Sequence, residues 1–325
     1  INTFTTGIFR TWTMLEDLQS AVYLSALLIV MVVIINSLVK WQRGSKSYAV
    51  KGSNDQLKST DRIDLKSNKR LLAFIIIGIP IVFGLLLPLG QLFYWATLTY
   101  EKTFNIELLQ IAGQSFTIAL VTTGLIILTS LALIYFSRWN HLKSLHFFKK
   151  VATIGYVIPG AIIGIGVIRS SQSFITFFDD VFSLEIGFIF YSSSVVLIYA
   201  YVFRFLAVVF HPLEANSLKV GKNISEASYL LNAGKIKTLF SIELPLLRTA
   251  LLTSGILVFI DVLKELPLTL ILKPYNVQTL AVKAYEYADD ERVAEAAVPA
   301  LMLIFTITIS MAFISYLQKR DKLNI

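Results

Sequence analysis

Three ionisable residues stand in a stretch that is otherwise apolar. Asp261, Lys264 and Glu265 fall inside the hydrophobic segment 249–272, in the run F-I-D-V-L-K-E-L-P. A charged side chain in the middle of a bilayer costs roughly 2.5–3.5 kcal/mol on insertion scales, so such groups turn inward and find partners. At i, i+3 and i+4 the three share one helix face. Lys264 can neutralise one carboxylate, and Pro267 cannot donate to the carbonyl of Leu263, so the helix is expected to kink beside the charges. Two readings stay open from the residues alone. The charges are a polar element of a passage through the membrane or its gate, or a structural ion pair joining helices. Carboxylates suit a hard cation by charge.

A second constellation is the polar stretch N-I-S-E-A-S-Y-L-L-N-A-G-K-I-K-T-L-F-S-I-E-L-P, residues 223–245. Asn223-Ile-Ser-Glu226 has the form of a capping box, an N-cap side chain with Glu three residues on. A helix from there to about Leu231 is about 12 Å long, too short to cross a bilayer. Ile224, Ala227 and Leu231 recur at helical spacing and form an apolar stripe. Asn232 and Gly234 tolerate left-handed backbone, so the chain can turn there. A second helix, Lys235 to about Glu243, then leads to Pro245. The residues allow a short crosswise helix offered to a partner, or an amphipathic helix lying on lipid headgroups.

Other chemistry is poorly supported. The pairs Gly221-Lys222 and Gly234-Lys235 lack the upstream Gly and the following Ser/Thr of a phosphate-binding loop. The histidines are His141, His146 and His211, and no metal-ligand or triad spacing links them. There is no cysteine, which removes disulfides and thiolate chemistry.

These residues need apolar scaffolding, and the chain is mostly that. It is 55% hydrophobic and 15% charged, with a mean hydropathy of +0.69, where soluble domains carry about 25% charged residues. Seven runs are long enough to span a bilayer: 18–39, 71–96, 111–136, 151–168, 184–210, 249–272 and 296–317. None alternates polar and apolar as a membrane barrel strand does. The expected class is an all-α, polytopic integral membrane protein. The net charge of +8 is explained by sidedness, not by nucleic acid. Of the Lys and Arg residues, 21 fall in segments 40–70, 137–150, 211–248 and 318–325, and 6 fall in 1–17, 97–110, 169–183 and 273–295. The first set is therefore expected in the cytoplasm.

Within the run 151–168, Gly160 and Gly164 make a small-xxx-small pair, with Gly155 and Pro159 ahead of them. The pattern suits close helix packing, with a pathway-lining helix flexing at Pro159 as the alternative. Arg204, near the cytoplasmic end of its run, is expected to snorkel. Glu286, Asp289, Asp290, Glu291 and Glu295 form an acidic patch on the outer side, a solvated loop or a face for a basic partner. Residues 2–9 align with 278–285 at an offset of 276, each followed by acidic residues, a span and a basic exit. Residues 1–43 are thus expected to be the last span of a preceding half of a longer chain, 44–70 a flexible cytoplasmic linker, and 71–325 a six-span domain whose loop at 211–248 carries the insert.

The insert also resembles a known family. E-A-S-Y-L-L-N-A-G-K-I-K-T-L-F-S-I-E-L-P (226–245) is similar to the EAA loop of ABC importer permeases, whose pattern is Glu-Ala-Ala, a Gly four residues later, and Leu-Pro closing the stretch. Glu226, Ala227, Leu244 and Pro245 match in register. Ser228 stands where the second Ala is usual, and Asn232 where Gly is usual. Four further runs, at 2–12, 201–214, 259–274 and 279–301, resemble the iron(III) branch, whose chains carry two fused permease halves.

The resemblance implies a type I ABC importer permease fold in the bacterial cytoplasmic (inner) membrane. It implies a cytoplasmic ABC ATPase dimer docked on Glu226, Ala227, Ser228, Leu231, Asn232, Ala233 and Gly234, an external substrate-binding protein, and a second permease half. It implies no enzyme activity and no cofactor in this chain, with ATP and Mg2+ held by the partner ATPase. Within the class, phosphonate, thiamine or a polyamine are alternative cargoes. An ion-gradient-driven transporter would also explain repeats and buried charges, but not the insert.

Overall fold

The computed structural model describes residues 4–13, 15, 17–43, 67–139, 149, 151–182, 194–220 and 222–323. Most of the linker 44–70, together with His141, His146 and the start of the run 184–210, lies outside them. Among the described residues the fold is helical throughout. The elements are α1 (Phe4–Thr13), α2 (Leu18–Arg43), α3 (Ser67–Ile81), α4 (Leu87–Thr103), α5 (Ile106–Trp139), α6 (Gly160–Phe182), α7 (Val195–Val220), α8 (Lys222–Leu230), α9 (Lys235–Thr238), α10 (Leu244–Leu263), α11 (Pro267–Leu272), α12 (Leu280–Asp289) and α13 (Ala297–Leu323). Seven segments among them are long and apolar enough to cross a membrane.

The core is built where α5, α7 and α10 pack together. Ile126, Leu197, Tyr201, Val209 and Val258 are almost fully covered there. By contrast, the rod formed by α3, a π-helical turn at Val82–Leu86, and α4 has none of its apolar window covered by the rest of the chain. In water that would be ruinous. In a bilayer it is how a peripheral helix looks, because lipid is as apolar as leucine.

Both π-helical turns stand two residues ahead of a proline: Val82–Leu86 before Pro88, and Leu239–Glu243 before Pro245. Proline has no N–H and its ring crowds the carbonyl four residues back. A widened turn relieves that clash without ending the rod.

Two of the expected spans are drawn differently. The run 151–168 is not one helix. Ile158 is extended (φ −81°, ψ 130°), as residues before proline prefer, and a 3-10 turn at Ile154–Val157 precedes it. Helix α6 starts at Gly160 and continues to Phe182, through what the charge pattern assigns to an outer loop. The run 249–272 also divides. Helix α10 ends at Leu263, and α11 starts afresh at Pro267, where the missing N–H does no harm. The expected kink is a break.

A short helix followed by a span occurs at both ends of the chain. Helices α1 and α12 are each 10 residues long, and their first and last residues are separated by the same 276 positions. Helices α2 and α13, of 26 and 27 residues, follow them. Helices α1 and α2 rest on α6, with Ile8 and Ala21 fully buried.

Candidate functional site

The polar insert is α8, a tight turn, and α9. Helix α8 begins at Lys222, so Asn223 lies in its first turn and not at an N-cap; the Asn223 side chain is outside the description. The end of α8 is well defined. Ala233 N–H donates to the Ser228 carbonyl (3.1 Å) and Asn232 N–H to the Tyr229 carbonyl (2.9 Å), while Asn232 sits at φ 61°. This is a Schellman turn with Asn in the left-handed position usually held by Gly. Gly234 is extended (φ −68°, ψ 159°), so the turn draws on one of the two expected left-handed residues. The Ser228 and Thr238 hydroxyls meet at 2.9 Å and close the hairpin. Ser228 is buried, whereas Glu226 and Ala227 are exposed, and Leu230 and Leu231 at the tip are 88% and 84% exposed.

The insert is tied to the bundle at its exit. Glu243, in the π turn, is buried and lies 3.8 Å from Arg138 at the end of α5. Arg138 Nη1 also donates to Ser217 Oγ near the end of α7 (2.9 Å). Lys149 pairs with Glu214 (2.8 Å), and the Lys235 ammonium stands over the Trp139 ring at 5.9 Å. These groups enclose a cleft of about 510 Å³ lined by Tyr135, Arg138, Trp139, Lys149, Glu226 and Glu243. Segments 137–150 and 211–248, both assigned to the basic side by charge, therefore meet at one end of the bundle. At the other end Glu107 approaches Lys283 (3.7 Å), Thr99 donates to the Ala294 carbonyl (3.1 Å), and Ser115 Oγ accepts from Leu280 N–H (2.8 Å).

The charges of segment 249–272 separate into two groups. Asp261 and Lys264 pair with each other (2.9 Å) at the end of α10, with Lys264 exposed. Glu265 faces the other way and is buried. Its Oε2 lies 3.4 Å from Arg204 Nε, and its Oε1 accepts from Leu268 N–H (3.4 Å) at the start of α11. The three charges do not share a face, because the helix that would have aligned them stops at Leu263. Arg204 does not snorkel. It turns inward, and its Nη1 donates to the Ile158 carbonyl (3.0 Å), at the break before α6.

The small residues make room for this arrangement. A Cβ on Gly160 would sit 2.6 Å from Glu265 Oε1 and 2.7 Å from Arg204 Nη1. One on Gly164 would sit 2.8 Å from Ile271 Cγ2, and one on Gly155 would collide with the Phe203 carbonyl oxygen. Pro159 accepts from the Ile162 and Ile163 N–H groups (3.1 and 3.3 Å) and so starts α6. Thr269 Oγ1 donates to the Glu265 carbonyl (2.6 Å) and meets Tyr201 OH at 2.5 Å, which locks α11 onto α7.

Residues 146–322, more than half of the chain, match the family described as binding-protein-dependent transport system inner membrane component. The chain belongs to that family. Two curated relatives agree with the assignment. The Fe(3+)-transport system permease protein FbpB 2 of Haemophilus influenzae is 24% identical over 310 residues, covering 93% of this chain and 58% of that protein. The ferric transport system permease protein FbpB of Actinobacillus pleuropneumoniae is 25% identical over 235 residues, covering 67% of this chain and 34% of that protein. The chain thus spans about half the length, or less, of the curated relatives it matches.

In this inner membrane transport component, the matched region runs from the 3-10 turn and α6 to α13. It contains the insert, both helix breaks and the Arg204–Glu265 pair. Sequence reading missed Arg138, Glu243, Tyr201 and Thr269 as partners and misjudged Arg204. The available signal was position: Arg204 stands inside an apolar run, where an ionisable residue calls for a buried counter-charge. Outside the spans, the acidic patch is partly paired. Glu286 holds Lys273 (3.1 Å) and Arg292 is paired with Glu295. Burial raises the Tyr285 hydroxyl above its ordinary pKa, and neighbouring Asp289 adds to the effect.

Proposed function

We propose that this chain is the membrane-spanning part of an ATP-driven, binding-protein-dependent importer that carries iron(III), and that α8 is the helix through which a cytoplasmic ATPase moves it. The observation that carries this reading is the insert's construction. A helix too short to span a membrane stands in the chain between two spanning helices, α7 and the α9–α10 rod. Its end is fixed by a Schellman turn, and Leu230 and Leu231 stand bare at its tip. An exposed apolar tip on a mount tied to the bundle is suited to a groove in a partner, and a helix whose end is fixed to the next one passes on a push instead of absorbing it. The relatives' names supply the cargo.

In this reading an external binding protein delivers the ferric ion at the end that carries α12. ATP binding closes the ATPase dimer, the insert follows, and α7 and α10 shift so that the pathway changes the side it opens to. A second permease half completes the pathway. Asp261 and the exposed Lys264, paired at the end of α10, would face it, and the buried Glu265 with Pro267 would stand behind them as the gate. Glu226, Ala227, Leu231, Asn232, Ala233 and Gly234 form the docking tip, and Ser228 stays within as its internal tie. ATP with Mg2+ is held by the ATPase.

The test is purification of the full permease with its ATPase, followed by reconstitution in liposomes. Charge reversal at Glu226 or Leu231→Asp is expected to release the ATPase while the permease still accumulates in the membrane. Hydrolysis by the parent complex is expected to rise with ferric-loaded binding protein. Full retention of the ATPase by both variants overturns the docking reading. Stimulation by a thiamine- or phosphonate-loaded protein, with none from the ferric-loaded one, overturns the iron reading.

A further inference from the structure

We propose that Arg204 is a positioning residue that clasps the two helix breaks together, so that motion of the insert reaches both at once. The idea rests on the coupling reading of α8, but the clasp itself is a matter of contacts. Helix α7 leads into the insert and the α9–α10 rod leads out of it. Each rod carries one half of the clasp: Arg204 lies within α7, and Glu265 lies just past the end of α10. The guanidinium uses two edges for two different breaks. Its Nε faces Glu265 Oε2 at 3.4 Å, in the gap between α10 and α11. Its Nη1 donates to the Ile158 carbonyl at 3.0 Å, in the gap before α6.

At each gap backbone groups lose helical partners, and in an apolar surround those groups must be satisfied by something else. Arg204 satisfies one carbonyl directly. Through Glu265, whose other oxygen accepts from Leu268 N–H at 3.4 Å, it also orders the start of α11. Gly160 gives the clasp its place, since a Cβ there would lie under 3 Å from both charged side chains. The planar fork of arginine fits a bridge of this kind, and a lysine ammonium on a single stem does not. The parts that the clasp brings together are α6 and α11, which pack along Gly164 and Ile271.

The chain has no cysteine, so that contact can be read by disulfide trapping. A Cβ placed on Gly164 lies 3.1 Å from Ile271 Cβ. The pair Gly164→Cys and Ile271→Cys, which removes the crowding Cγ2 atom, is therefore close enough to bridge after slight relaxation. It is introduced into the full-length permease, alone and together with Arg204→Met/Glu265→Gln. The double change removes both charges, so that neither is left buried without its partner.

With the clasp gone, trapping is expected to slow by about tenfold, the size of effect typical for a coupled pair. A rate equal to the parent's overturns the clasp. Should the double variant fail to accumulate, Arg204→Lys replaces it, with the same expected fall and the same overturning result.

In the complex with the ATPase, the parent's trapping rate is expected to differ between the nucleotide-free and vanadate-trapped states, and the clasp variant's rate is not. A parent rate that ignores nucleotide sinks the coupling reading of the insert. A clasp variant that still responds as the parent does sinks the role of Arg204 in transmission.

Discussion

Gly160 and Gly166 look alike in sequence, six residues apart in one glycine-rich run, yet they occupy opposite situations. A side chain at Gly160 collides with Glu265 and Arg204, while one at Gly166 meets nothing within 4 Å. Gly160→Ala is expected to destabilise by about 1–3 kcal/mol, the usual cost of overpacking. Gly166→Ala is expected to be neutral or to gain about 0.5–1 kcal/mol from its helical position. The unfolding midpoint of the detergent-purified protein checks both, and an equal response sinks the packing account.

Positive backbone angles tell a similar story. Asn232 and Glu291 both sit at φ 61° and both end helices. Asn is a residue that visits this region readily, and its turn was legible in advance. Glu is not. The turn after α12 is imposed by Arg292 N–H donating to the Tyr287 carbonyl at 2.8 Å.

At the scale of elements, prolines decide where rods stop and where they only widen. Pro245 follows a π turn and the rod continues, whereas Pro267 begins a new helix after a gap. The difference lies in what surrounds the turn. Beside Pro245 the widened turn brings Glu243 to Arg138 at the base of α5. Beside Pro267 the gap is filled by the Glu265 carboxylate and Thr269, whose hydroxyl donates to the Glu265 carbonyl. Glu243→Gln removes a charge from beside Arg138 and weakens the seat of the π turn. Amide exchange over residues 239–243 is expected to speed up by about tenfold, equivalent to roughly 1.4 kcal/mol for a charge-assisted contact. Unchanged protection there shows that the seat is held by packing alone.

Over the whole molecule, the two ends of the bundle differ in charge and in what they present. One end gathers Arg138, Lys149, Lys235 and the insert. The other gathers Glu107, Lys273, Lys283 and the acidic turn after α12. Single cysteines at Lys237 and Asp290, both exposed, give this polarity a direct reading. A membrane-impermeant thiol reagent applied to intact cells is expected to label the Asp290→Cys variant. The Lys237→Cys variant is expected to react only after the membrane is opened. The reverse pattern overturns the orientation argued from the basic residues.

The number of spans, the sidedness argued from charge and the presence of a short helix between two spans are properties of local composition. A run of apolar residues commits itself to the bilayer wherever its neighbours go, and the N-A-G turn of the insert is fixed by residues within a few positions of one another. For the same reason Pro159 and Pro267 were legible as interruptions. How far each interruption went was not legible, since a proline in an apolar run can kink, widen or end a helix according to what partners the freed backbone finds.

Those partners come from distant segments. Arg204 is 46 residues from the carbonyl it satisfies and 61 from Glu265. The helix-face argument put all three charges of segment 249–272 on one side and let Lys264 neutralise one carboxylate without deciding which. The tertiary structure gave Lys264 to Asp261 and Glu265 to Arg204. In a low-dielectric interior a charge must take a counter-charge within contact distance, and only packing decides which one is within reach.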